Sequence, residues 1–455
     1  MYARFVSRLL LSLILAGFAF APVYSHDTGK KHAHAQTKAQ AKDTSGVALA
    51  KPESVGFSSE GLKKMEAGLQ TYIDKQQLAG LVTLAARHGE VVEYKAYGYQ
   101  DLASKTPMKL DTIVRIYSMT KPIAGTAMMM LYEEGKWKPE DPIAKYIPEF
   151  ANLKVYAGDD KDGKPMYVAP NHPPTMGELM SHNAGFTYGL FGQTPVDKQY
   201  QAANPLAQPS LQAFIDTMAK LPLLYQPGEK WVYSVSVDIQ GYLVQKLSGK
   251  TFPEFLEERI FKPLGMKDTG FFVPEEKLSR VSTIYSWNAQ SNSLAAEPRD
   301  PSITKMPGLP SGGGGLFSTA ADYFRWAQMI ANGGELNGVR LLKPSTVAMM
   351  RTNKLNDVTL NSRSGIGFAR IVLGAGISPA QGFGYDFAVV QDPAALKSPV
   401  GKGSFWWWGI ANTWFWIDPT NDTVFIGLIQ RRNGTQEYEM QARAAFYDAL
   451  VQRDR

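Results

Sequence analysis

Ile116-Tyr117-Ser118-Met119-Thr120-Lys121-Pro122 is the stretch on which the reading of this chain turns. It holds a Ser-x-x-Lys pattern and opens a long apolar, helix-favouring run, Gly125 to Glu134, that stops at Gly135. A spacing of three is close to one helical turn, so Ser118 and Lys121 fall on one face. A serine hydroxyl needs a neighbouring base to become a nucleophile, and a desolvated lysine amine can serve. A serine at a helix N-terminus also has free N–H groups near a developing oxyanion. The bland alternative is a helix cap, for which serine is a common choice. Ser302-Ile303-Thr304-Lys305 repeats the pattern between Pro301 and Pro307, ahead of Gly312 to Gly315. No long helix can start there, so that copy reads as loop.

The surrounding chain has 455 residues and no cysteine. Its length permits a large core in one or two domains. Residues 1–25 read as a secretory signal, with Arg4 and Arg8 ahead of the apolar run Leu9 to Phe20. Val23-Tyr24-Ser25 suits cleavage before His26; Ala19-Phe20-Ala21 is a rival site, and an uncleaved anchor is the alternative to both. Export without disulfides leaves stability to the core. Residues 26–50 carry His26, His32 and His34 with no apolar period, and read as a disordered linker rather than a metal site. The formal net charge is +6, and the signal and linker account for most of it. The body therefore has no implied basic face, which argues against nucleic acid as a partner.

A capped amphipathic helix is expected from Ser58/Ser59 to Asp74, then strands Leu81 to Ala86 and Val91 to Tyr97 joined at His88-Gly89. Residues 122 to about 315 read mostly as helix and loop, including helices at Thr175–Ser181, Leu211–Leu221, Asp238–Leu247 and Pro253–Ile260. After a helix at Ala320–Asn332, strands are expected at Gly367–Leu373, Tyr385–Val390, Asn412–Ile417 and Thr423–Gln430. Asp418-Pro419-Thr420-Asn421-Asp422 is a tight turn, and Gln436–Val451 a closing helix. Strands at both ends and helices between them imply an α+β fold: an antiparallel sheet completed by distant segments, with a helical subdomain at about 122–315 inside a domain spanning 51–455.

Two further segments carry chemistry. Trp231-Val232-Tyr233-Ser234-Val235 precedes a helix, and Tyr233 beside Ser118 and Lys121 could act as a phenolate base. As a bare motif it reads more readily as an aromatic anchor in a loop. Phe405-Trp406-Trp407-Trp408-Gly409-Ile410-Ala411-Asn412-Thr413-Trp414-Phe415-Trp416 is the densest aromatic stretch. Read as strand it alternates faces, and Gly409 allows close backbone approach. It could wall a pocket for an acyl chain or form sheet core.

The order Ser-x-x-Lys, Tyr-Ser-x, Trp-x-Gly resembles the serine β-lactamase and penicillin-binding-protein superfamily, nearest the class C β-lactamase-like esterases, the family VIII carboxylesterases. Leu179-Met180-Ser181-His182-Asn183-Ala184-Gly185, Pro263-Leu264-Gly265-Met266 and Gly315-Leu316-Phe317-Ser318-Thr319 are similar in order, so the resemblance covers residues 52 to about 450. It implies Ser118 as nucleophile, Lys121 and Tyr233 as shared base and proton shuttle, and an oxyanion hole from the Ser118 and Ile410 N–H groups. It implies a sheet flanked by helices plus a helical domain, with the site between. No cofactor and no metal are implied, and the partner is a small acyl substrate.

Two departures stand out. Class C β-lactamases carry Asn where this chain has Val235, and Lys-Thr-Gly where it has Trp407-Trp408-Gly409. Lys161-Asp162-Gly163 comes too early to substitute, and Gly401-Lys402-Gly403 precedes the expected strand. Without that cation a substrate carboxylate loses a charge-assisted partner, which favours uncharged esters. A Ser-His-Asp hydrolase is a poor fit, because Gly-x-Ser-x-Gly is absent and only His88, His172 and His182 lie outside the linker. A catalytically inactive ligand-binding module is the non-enzyme alternative, and class C-type β-lactamase or D-Ala-D-Ala peptidase activity the enzymatic one.

Overall fold

A computed structural model of the chain describes residues 47–361, 378–433 and 436–452. The expected signal, nearly all of the linker and the strand expected at 367–373 lie outside these residues.

Eight strands form the main sheet: β1 (Gly80–Arg87), β2 (Glu90–Asp101), β3 (Thr106–Pro107), β4 (Gln381–Phe383), β5 (Ala388–Val390), β6 (Phe405–Gly409), β7 (Thr413–Asp418) and β8 (Thr423–Ile429). Their order is β4-β5-β6-β7-β8-β1-β2-β3, antiparallel throughout. The last long strand pairs with the first, Leu84 opposite Ile426, so the ends of the chain close the centre of the sheet. Every residue of β1 and β8 is buried. That follows from position: both strands are central and covered on both faces, so neither needs alternating polarity.

One face carries α1 (Ser59–Asp74) and the closing helix α5 (Glu437–Ala449). Leu62, Met65 and Leu69 are the buried stripe of α1, at the spacing expected from sequence, and Ser58 caps it by accepting the Gly61 N–H. Trp416 stacks on Phe425 at 4.3 Å and meets Phe446 of α5 at 5.9 Å. Gly427 makes room here: a Cβ at that position would lie 2.1 Å from the Trp414 ring. The other face meets α4 (Ala320–Ala331), where Trp326 packs edge-on against Phe415 at 5.6 Å.

The segment between Ile113 and Leu316 is mainly helical, with two hairpins the sequence did not announce, Val155–Asp159 with Pro165–Val168 and Tyr285–Asn288 with Ser293–Ala296. Its centre is α2 (Thr120–Glu133), buried continuously from Thr120 to Leu131, packed beside α3 (Ser236–Ser248). A helix apolar all round belongs inside a protein.

The aromatic stretch is not one strand. It folds back as the β6–β7 hairpin, with Trp407 opposite Phe415 and Trp408 opposite Trp414. Asn412 turns the chain in the left-handed region, φ 60°, which asparagine tolerates better than most residues. Among the described residues no helix is long and apolar enough to cross a membrane.

Candidate active site

Ser118 sits in a 3₁₀ turn, Tyr117–Met119, that runs directly into α2. The turn is forced: Tyr117 has φ 46°, a left-handed value for a bulky residue. Three separate parts of the fold hold it. Thr413 Oγ1 at the start of β7 donates to the Ile116 carbonyl at 3.1 Å. The Ile116 N–H donates to Leu316, whose own N–H reaches Thr120 Oγ1. Tyr323 of α4 donates to the Met119 carbonyl at 3.0 Å. Ser118 makes no capping bond for α2; instead Lys121 Nζ donates to its Oγ at 3.3 Å. The cap reading is therefore set aside.

Lys121 is 1% exposed and also donates to the Gly313 carbonyl at 2.6 Å. Its Nζ lies 4.6 Å from the centre of the Tyr233 ring and 5.4 Å from that of Tyr188. The structure thus brings Ser118, Lys121 and Tyr233 together, from α2 and from the loop ahead of α3.

Asp238 of α3 supports this arrangement and was not singled out from sequence. Its Oδ1 accepts the Ser311 hydroxyl at 2.5 Å and the Gly313 N–H at 3.0 Å, which aims the Gly313 carbonyl at Lys121. The loop needs its glycines. A Cβ on Gly312 would lie 2.3 Å from the Val237 carbonyl, and one on Gly313 2.6 Å from Asp238 Oδ2. Burial pushes the Asp238 carboxyl above its ordinary range, and the Lys121 charge pulls it back.

His182 stands behind Tyr233, ring centres 5.2 Å apart. Burial, and then the Lys121 charge, hold it well below the ordinary histidine range, so it is neutral. Its Nδ1 meets Ser234 Oγ at 3.0 Å, not Ser118. His88 meets Asp422, and His172 meets Glu178. No histidine takes the place of the lysine as partner of Ser118 in these pairs, which removes the Ser-His-Asp reading.

Trp407 is fully buried and lies 5.3 Å from the Tyr233 ring and 5.4 Å from Phe383. Trp231 stacks on the same tyrosine, and partly exposed Phe191 stands 6.2 Å from it. Trp408 corrects the sequence reading. Strand alternation turns it to the opposite face, where it lines a small recess with Trp414, Tyr438 and Glu439, so it cannot wall the Ser118 side. Val235 is buried at the N-terminus of α3, 1% exposed, and its side chain offers packing alone. Gly409 closes on the Ser118 turn: a Cβ there would lie 2.4 Å from the Ile116 carbonyl. Ile410 follows at the hairpin tip with its side chain exposed.

The second Ser-x-x-Lys is a surface turn. Ser302 donates its N–H and hydroxyl to Asp300, and Ser302 and Lys305 are both exposed.

Residues 63–450 match the protein family described as Beta-lactamase. Protein Rv1367c of Mycobacterium tuberculosis is 34% identical over 80% of this chain and 89% of its own length. Esterase EstB of Burkholderia gladioli is 29% identical over 77% and 86%. Among solved structures, EstCE1, titled a hydrolase with promiscuous acyltransferase activity, superposes with a TM-score of 0.70 at 25% identity, covering 85% of this chain and 99% of its own.

Proposed function

The chain belongs to the β-lactamase family of serine hydrolases, and from that premise we propose that it cleaves short and medium acyl esters through an acyl-enzyme on Ser118. The observation that carries this reading is the buried lysine donating to Ser118 Oγ with Tyr233 at its side. Ser118 Oγ attacks the ester carbonyl, and its proton passes to the Lys121–Tyr233 pair. The Ser118 and Ile410 N–H groups take the oxyanion. The tetrahedral intermediate collapses, the alcohol leaves with the proton, and water repeats the sequence to free the acid and Ser118.

The substrate class rests on Trp407. An indole stands where the related β-lactamases place a cation, inside an aromatic wall of Tyr233, Trp231 and Phe383. An apolar wall gains about 0.8 kcal/mol per buried methylene of an acyl chain until it is full. A second reading, turnover of carboxylated substrates such as β-lactams, is favoured by one feature. Arg115 and Arg432 both stand over the Tyr117 ring, at 5.3 and 5.1 Å, although Glu297 lies 3.5 Å from Arg432. A panel of acyl esters run beside a chromogenic cephalosporin decides. Faster turnover of the cephalosporin than of butyrate esters would return the protein to β-lactam chemistry. We also propose export after cleavage near Ser25; a mature secreted protein beginning at Met1 in mass spectrometry would overturn it.

A further inference from the structure

Three unfavourable features meet at one point beneath Lys121. Gly125 lies in the interior of α2, where glycine weakens a helix. It is one turn beyond Lys121 and on the same face. Asp386 has φ 64°, a left-handed backbone for a residue with a side chain. Its carboxyl is 0% exposed, and Oδ2 has no hydrogen-bond partner there. The three are linked. A Cβ on Gly125 would lie 2.5 Å from Asp386 Oδ2, so the glycine is what admits the carboxyl against the helix. Gln240 of α3 holds the other oxygen, Nε2 to Oδ1 at 3.2 Å, and the Asp386 N–H donates to the Met180 carbonyl at 3.1 Å. A fold accumulates such strains where function requires them.

We propose that Asp386 is a positioning residue for Lys121: its buried carboxyl stabilises the ammonium that forms when Lys121 takes the Ser118 proton. The proposal rests on the Ser118–Lys121 reading above. Burial raises the Asp386 carboxyl well above its ordinary range, and the Gln240 hydrogen bond and then the Lys121 charge oppose that rise. The other groups facing Lys121 are Asp238 of α3, His182, Tyr188 and Tyr233. Asp238 Oδ1 holds the Ser311 hydroxyl and the Gly313 N–H while its Oδ2, like that of Asp386, is buried without a hydrogen-bond partner among the described residues, and His182 is neutral. What sets Asp386 apart is its place against α2 itself, one turn beyond Lys121, where the missing Cβ of Gly125 admits it.

The test is the pH dependence of Ser118 labelling by a fluorescent phosphonate, on the full chain, with thermal melting alongside. Asp386→Asn keeps an oxygen for Gln240 and removes the ionisable carboxyl. Asp386→Gly removes the carboxyl and suits the backbone. In both, the plateau rate falls about tenfold. The acid limb moves about one pH unit lower, because the ammonium form has lost the carboxyl that can ionise beside it. Variants that melt like wild type and keep its pH profile would reduce Asp386 to packing. Loss of the folded state in both would assign it to the fold alone and overturn the proposal equally. A wild type that does not label at all would sink the Ser118 reading first, and this inference with it.

Discussion

Ser118 and Ser302 each stand three residues before a lysine, with a threonine directly ahead of that lysine, yet the fold treats them differently. Ser118 is half-buried in a strained turn held by the sheet, the glycine loop and α4, with its lysine 1% exposed and bonded to it. Ser302 spends its hydroxyl on Asp300 at the surface, and Lys305 points to solvent. The four residues do not decide the environment. Of the two copies, only the one at α2 buries its lysine and gives the lysine's donors defined acceptors, Ser118 Oγ and the Gly313 carbonyl.

The largest test of that contrast is Ser118→Ala. Loss of the nucleophile should lower ester hydrolysis by roughly 10⁴-fold or more with the melting temperature unchanged. A dead Ser302→Ala beside an active Ser118→Ala would invert the assignment. Next come Lys121→Ala and Tyr233→Phe, each expected to lower kcat by about 10²- to 10⁴-fold, with a double variant little worse than the poorer single one. Strictly additive losses would argue against a shared proton path. Trp407→Lys follows. It should lower efficiency on neutral esters and tighten binding of carboxylated substrates by about ten- to a hundredfold, the size of a charge-assisted contact. No change in inhibition by a carboxylated analogue would show that Trp407 does not occupy the cation's place.

Burial without a catalytic neighbour gives a control. Glu93 on β2 is 3% exposed, accepts from Thr83 Oγ1 at 2.6 Å, and is pushed by burial to about 7. Its folded value is raised, so its contribution to stability is full below the ordinary carboxylate range and is lost as pH rises toward 7. That loss is worth roughly 3 kcal/mol. Glu93→Gln should flatten the melting temperature across this window and leave ester hydrolysis untouched; a pH-dependent melt identical to wild type would place the titration elsewhere. Smallest of all is Ser302→Ala, expected within about 0.5 kcal/mol in stability and within twofold in rate.

Local signals in the sequence were legible wherever local chemistry decided the outcome. The α1 stripe, the turn at His88-Gly89 and the buried run of α2 could all be read, because periodicity and turn residues suffice for them. The aromatic stretch misled, since nothing in its composition marks Asn412 as the turn residue; its left-handed backbone is what separates β6 from β7 and sends Trp408 to the far face. Ser118, Lys121 and Tyr233 were legible through motif and order. Asp238 looked like a helix start and Gly313 like generic loop. Asp386 carried no local sign at all, because its reason for being there is a glycine on another helix.

The sheet order has a kinetic side. Arg87 Nε donates to the Asn421 carbonyl across 334 residues, and the Ile116 carbonyl accepts from Thr413 across 297. Contacts of such separation require long loops to close before they yield any stabilisation, so they form late and slowly. A nascent chain emerging N-terminus first therefore carries the whole Ser-x-x-Lys segment long before β7 exists to brace it. Appearance of phosphonate labelling during refolding would then report the arrival of the C-terminal strands, and the nucleophile would act as a clock for the completion of the sheet.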